Sequence, residues 1–158
     1  EKTWKQPDAF KLSVANKVSN PYWLKAEMKY EKVYSFNAGS KLFFEPRLYP
    51  IFHEDIPENN ERIRDYHFTY PYQSFDTTIY KFPAGYTLEN LPQNRSVSKP
   101  FAQYTCTYAW DAATRTLTAY AWLQLKERIV KAADYKELYD FRKQVSADMN
   151  EKIVVKKE

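Results

Sequence analysis

The chain has 158 residues, a net charge of +4, and is 44% apolar and 28% charged, the proportions of one soluble globular domain and not of a disordered chain. Its two glycines are too few for a phosphate-cradling loop, its single cysteine excludes an internal disulfide, and one cysteine with two histidines excludes a zinc site built from four cysteines or from paired cysteines and histidines. No apolar run reaches the roughly 18 residues of a membrane-crossing helix, and the charges alternate in sign without the basic stripe that nucleic acid requires.

Period-two alternation dominates, the mark of strands with one buried face. Phe10, Leu12 and Val14 form a first short run, broken at Asn20-Pro21 because proline cannot donate to a ladder. A longer run follows over 24–36, with Leu24, Ala26, Met28, Tyr30, Lys32, Tyr34 and Phe36 facing one way and a mostly charged set between them. Asn37-Ala38-Gly39-Ser40 reads as a turn, and 41–48 resumes as a strand with Leu42 and Phe44 on one side. Residues 53–64, HEDIPENNERIR, are polar, acidic and aperiodic and read as an exposed loop.

Strands are then expected over about 66–71 and 75–82, a turn at Phe82-Pro83-Ala84-Gly85-Tyr86, and a short strand from Tyr86 to Leu91, closed by Pro92. The strongest local signal is a hairpin. Ala102, Tyr104, Cys106, Tyr108 and Trp110 share one face of the first arm, Asp111-Ala112-Ala113-Thr114 makes the turn, and Leu117, Ala119, Ala121, Leu123 and Leu125 share one face of the second. One helix is predicted. Asp134 stands at the N-cap with Glu137 at capping-box spacing. Tyr135, Leu138, Tyr139, Phe141, Val145 and Met149 form its apolar face, and Lys136, Lys143, Gln144 and Asp148 fall elsewhere. Ile153-Val154-Val155 ends the chain as a lysine-flanked strand.

Roughly eight strands with regular turn signals predict an all-β, antiparallel sandwich of Ig-like or related type with one C-terminal helix packed on it. The expected organisation is a single domain over 1–158. The chain opens at Glu1 with no apolar leader, which reads as a mature or excised fragment.

Candidate chemistry is sparse. Cys106 with His53 or His67 would make a nucleophile–base pair, yet a thiol between Tyr104 and Tyr108 on an apolar strand face has its pKa raised rather than lowered. Cys106 is therefore read as a small buried hydrophobe. Glu54, Asp55, Glu58 and Glu61 lack the alternate spacing and the glycine of a calcium loop. They are read as a solvated loop with Arg62 and Arg64 to balance them. The twenty acids offer many carboxylate pairs, and sequence selects none for glycoside cleavage. No catalytic residue, metal site or cofactor is assigned. The aromatics, 28 of 158 residues (4 Trp, 14 Tyr, 10 Phe), are by default core. The alternative is a platform for a glycan or peptide, for which Tyr120, Trp122, Tyr70 and Tyr72 are the candidates.

From about Tyr30 onward the chain resembles a known family. The pieces are Lys41-Leu42-Phe43-Phe44 after a turn, Arg47, Tyr49-Pro50-Ile51, and Phe82-Pro83-Ala84-Gly85-Tyr86-Thr87-Leu88-Glu89-Asn90-Leu91-Pro92, which is similar to a signature LP-x-G-Y-x-V-E-x-L-P. A hairpin, a helix entered through Tyr135 and Phe141, and the terminal strand follow. Together they resemble the C-terminal domain of uncharacterised function that follows the transglutaminase-like core in large exported proteins of Bacteroides-type bacteria. The resemblance implies a periplasmic or envelope location and a non-catalytic accessory role. Its implied partner is an upstream transglutaminase-like core of the same polypeptide, to which residues 1–30 are expected to link this domain as strands; a glycan or protein partner is the further candidate that the aromatics suggest. The Cys-His-Asp site of such proteins lies in that core, so no catalytic residue carries over to this sequence.

Overall fold

The computed structural model describes residues 7–14, 24–29, 33–59 and 61–158. The chain divides into two compact units, Glu1–Tyr34 and Ser35–Glu158. In the first, β1 (Ala9–Val14) pairs antiparallel with β2 (Leu24–Lys29), Phe10 opposite Met28 and Leu12 opposite Ala26. Phe10 and Leu12 are exposed, contrary to a buried face. Among its described residues this unit has one two-stranded ribbon, which offers no second layer to bury a face. β2 ends at Lys29, well short of Phe36, and Asn20-Pro21 and Tyr30 lie outside the described residues.

The second unit is the sandwich. In chain order it comprises β3 (Phe36–Ala38), β4 (Lys41–Phe44), β5 (Tyr66–His67), β6 (Tyr72–Lys81), β7 (Tyr86–Asn90), β8 (Arg95–Ser98), β9 (Ala102–Asp111), β10 (Thr116–Leu125), β11 (Ile129–Val130), helix α1 (Tyr135–Asn150) and β12 (Ile153–Lys157). One sheet has the order β6-β10-β9-β8, a second β3-β4-β12-β7, and β5 pairs with β11. All described pairings are antiparallel. Gly39 (φ 59°) and Gly85 (φ 82°) sit at the two turns where a side chain would be strained. β4 stops at Phe44, ahead of Pro46, rather than running to residue 48. β6 starts at Tyr72, earlier than its sequence signal.

The β9–β10 hairpin forms as its alternation requires. Asp111 closes it: its carboxylate accepts the N–H groups of Ala113 (2.9 Å) and Thr114 (3.3 Å) and the hydroxyl of Thr114 (2.6 Å). Ala119 stands opposite Tyr108 and Ala121 opposite Cys106. These two small side chains leave room over the sheet for α1, which buries Tyr135, Leu138, Phe141, Val145 and Asp148. Towards the other end of the hairpin, Phe44 of β4 meets Tyr80 (5.4 Å between ring centroids) and Phe82 (5.3 Å), and Phe82 meets Trp110 (5.8 Å). These rings join the second sheet to the first.

Several expectations are corrected here. Asp134 precedes α1, but its side chain makes no capping hydrogen bond, and Glu137 pairs with Lys99 (2.9 Å) instead of reaching back. Asp148 lies on the buried face of the helix, since it follows Phe141 by seven residues and Val145 by three. Among its described residues the 53–64 segment has no regular structure, and it is not simply exposed. Ile56 is 1% exposed and joins Ile51 and Phe52 in the core, where Phe52 packs edge-on against Phe141 (6.2 Å). The Tyr135 hydroxyl donates to the Pro57 carbonyl (2.7 Å) and the Tyr139 hydroxyl to Glu58 (3.0 Å), so the segment is a strap laid over α1. Among the described residues no helix is long and apolar enough to cross a membrane.

The strap should behave as core. Ile56→Ala is expected to cost about 2–5 kcal/mol in chemical denaturation. Ile63→Ala, in the same stretch but 90% exposed, should stay within about 0.5 kcal/mol.

Candidate functional site

The densest polar cluster in the described fold is buried. Arg47, just after β4, points inward between the sheets, and Asp148 meets it from the last turns of α1. The Arg47 Nη1 group donates to Asp148 Oδ2 at 2.8 Å. The Tyr104 hydroxyl donates to the same oxygen. Tyr108 (2.8 Å) and the Cys106 thiol (3.0 Å) both donate to Oδ1. Tyr104, Cys106 and Tyr108 come from alternate positions of β9 and so point the same way. One carboxylate on α1 thus gathers four side-chain donors, three from β9 and one from the segment after β4. The Nε edge of Arg47 faces Asp76 Oδ2 of β6 at 4.0 Å.

The electrostatics follow from this geometry. Burial alone would push the Asp148 carboxyl up, but hydrogen bonds from Cys106, Tyr104, Arg47 and Tyr108 outweigh it and hold the group below the usual aspartate range. Burial lowers the proton affinity of Arg47. The neighbouring phenols and Asp148 more than reverse that, so the guanidinium stays charged. Burial raises both phenols, as does the Asp148 carboxylate they bond. The Cys106 thiol is pushed up to about 11, first by burial and then by the carboxylate it donates to. At neutral pH it is a hydrogen-bond donor with almost no thiolate, the opposite of an activated nucleophile. The expectation of a small buried hydrophobe holds for its burial and misses its hydrogen bond.

Both histidines are exposed: His67 lies on β5, and His53 lines an open groove. None of the described hydrogen bonds joins either to Cys106. The four acids of the strap are dispersed. Glu54 lines the groove, Asp55 pairs with Arg142 (3.5 Å) and Glu58 accepts from Tyr139. Arg62 does not balance them; it lies over the Tyr135 ring (4.5 Å) and donates to the Arg64 carbonyl (2.8 Å). Among the described residues no group of three or more metal-ligating side chains converges.

The four aromatic candidates separate into two places. Tyr120 and Trp122 lie on the sheet face turned away from α1, Trp122 opposite Phe75 and Tyr120 opposite Thr77. Tyr120 is 38% exposed and Phe75 75%, so the helix does not cover these rings, because it packs over the alanine-bearing face instead. Tyr70 and Tyr72 line the groove of about 340 Å³ with His53, Glu54, Thr69, Gln73 and Ser74. Their rings meet edge to face at 6.3 Å. Tyr72 packs against the core, and its hydroxyl is pushed up to about 12 by burial, with Glu54 adding to the effect.

Sequence reasoning missed Asp148 and the role of Arg47. Tyr104-x-Cys106-x-Tyr108 is the available signal: three polar tips on one buried face demand an acceptor. Arg47 carries no periodic signal at all.

Residues 40–155 match the model of the DUF3858 family, a domain of unknown function with a solved structure, and the chain belongs to that family. None of the curated proteins matches it. Among solved structures the chain is similar to a crystal structure described as that of a candidate protease from Parabacteroides distasonis. The TM-score is 0.53 and the identity 17%, and the match covers 63% of this chain and 19% of the other. That likeness is one of fold, and it takes in only a small part of a much longer protein.

Arg47→Ala should cost about 3–5 kcal/mol in equilibrium unfolding, because it strands a buried carboxylate. The folded-state value of Asp148 lies below its ordinary 3.8, so its contribution is complete above that pH and is lost as pH falls through the lower folded value. Asp148→Asn should flatten that acid limb in a pH series of denaturation curves.

Proposed function

We propose that this chain is a non-catalytic accessory domain of a longer exported protein. Its work is to pack against a transglutaminase-like core of the same polypeptide, or to present that core to a partner, in the periplasm or at the cell envelope. The observation that carries this reading is the sealed network of Arg47, Asp148, Tyr104, Cys106 and Tyr108. The side chains best suited to chemistry are consumed in holding α1 to the sheet. Further support comes from the similar fold built into a much longer chain from a Bacteroidales species and from the Phe82–Pro92 signature.

The strongest competing observation is the open aromatic surface. Phe75, Tyr120 and Trp122 form a stripe on the uncovered sheet face, and Tyr70 stands over the groove. This favours, as a second reading, a carbohydrate- or peptide-binding module. Flat rings of this kind stack on apolar ligand faces.

Cys106 in the native chain should react with iodoacetamide at least about a hundredfold more slowly than in the urea-unfolded chain. The chain alone should show neither hydrolysis nor acyl transfer, and it should bind the polypeptide encoded immediately upstream of it. Turnover abolished by Cys106→Ser would overturn the accessory reading. Titration with soluble glycans, followed by tryptophan fluorescence, decides the second: a saturable shift lost in Trp122→Ala assigns binding to the open face, and a shift lost in Tyr70→Ala assigns it to the groove.

A further inference from the structure

We propose that β6 is a self-association strand, through which two copies of this chain pair antiparallel about a two-fold axis at Thr77 to make one continuous sheet. β6 is an outer strand, bonded to β10 along all ten of its residues in an unbroken register. Among the described residues its other side has no backbone partner. Such an edge is a template for another strand, and proteins usually blunt it with proline, a bulge, short length or several charges. β8, at the far edge of the sheet, has only four residues. β6 has no proline, no bulge against β10, and charges only at Asp76 and Lys81. Asp76 turns toward the core, where it accepts the Thr78 hydroxyl (2.8 Å) near the Arg47 guanidinium. Outward-facing Phe75 and Ile79 are 75% and 57% exposed.

The strand is complementary to itself. With Thr77 opposite Thr77 of the second copy, Phe75 falls opposite Ile79, Asp76 opposite Thr78, and Gln73 opposite Lys81. Apolar meets apolar, and no like charges face each other. A register centred on Asp76 would set two carboxylates against one another, and one centred on Thr78 would set Phe75 against lysine. Charge complementarity beyond the strand selects the same register. The groove that Glu54 lines is also lined by Gln73 and Ser74, whose side chains point to opposite faces, so it runs along the edge itself. Lys81 of the second copy, opposite Gln73, arrives beside Glu54.

The test is sedimentation of the full 158-residue chain across a concentration series. The mass should approach twice that of the monomer. Thr77→Lys, at an exposed position, should weaken association by more than about tenfold by placing like charges at the axis, with the near-ultraviolet circular dichroism unchanged. Lys81→Glu and Glu54→Lys should each weaken it, and the two together should restore it, which keeps the register testable even where Thr77→Lys perturbs folding. A monomer at every concentration overturns the proposal, including one whose β6 edge captures an extended segment of another protein. So does a dimer indifferent to Thr77→Lys and to the charge exchange. The accessory reading is independent of this outcome, since it is tested on the upstream polypeptide.

Discussion

The Asp148 carboxylate is the constraint to which the rest of the sandwich conforms. A buried charge is costly unless its lone pairs are filled, and here four donors fill them. The geometry permits little freedom. Tyr104, Cys106 and Tyr108 are fixed by the pleat of β9, Arg47 by the end of β4, and Asp148 by the final turns of α1. Sliding or rotating the helix by one residue would carry the carboxylate out of reach of its donors. Hydrophobic burial supplies the larger share of the stability, and an ion pair seldom exceeds a well-packed apolar substitute. What the pair contributes is a single admissible position of α1 on the sheet, and through β12, which follows the helix directly, the placement of the second sheet.

The parts of this fold that could be read from the sequence are those with long, uninterrupted period. The β9–β10 hairpin shows ten-residue alternation in both arms, and the helix shows a broad apolar stripe. Both signals arise because every residue in the element obeys one geometry. The short strands β8 and β11 contain too few residues for a period to emerge, and they exist because neighbouring strands offer them partners. The strap over α1 is illegible for a related reason: Ile56 is one apolar residue in a polar run, and its burial is decided by the cavity beneath it. For Asp148, polarity points the wrong way, and spacing from Phe141 and Val145 is the better guide to its direction. A charge on an apolar stripe, together with phenols and a thiol on a facing strand, is the pattern of a buried network.

The candidate surfaces show where local pattern ceases to decide. β10 carries apolar groups on both faces, Leu117, Ala119, Ala121, Leu123 and Leu125 on one and Tyr120 and Trp122 on the other. Hydrophobicity alone would favour covering the aromatic face, since large rings bury more area. The helix lies on the other. The face it covers carries Tyr104, Cys106 and Tyr108, the donors to Asp148 of α1, and Ala119 and Ala121 belong to the same buried cluster as Leu138, Phe141 and Val145. The polar network therefore ties α1 to that face, and the rings on the other face stay partly or largely exposed.

The two sides of the sheet therefore carry different chemistry. The covered side of the sheet holds the buried network, with the thiol of Cys106 a donor to Asp148. The uncovered side and its β6 edge hold Phe75, Ile79, Tyr120 and Trp122, which do nothing for the described core. The fold thus places this polar network inside and a set of apolar side chains on the outer face. The two faces of one strand, β10, are accordingly unlike: Ala119 and Ala121 lie on the side that α1 covers, and Tyr120 and Trp122 on the other.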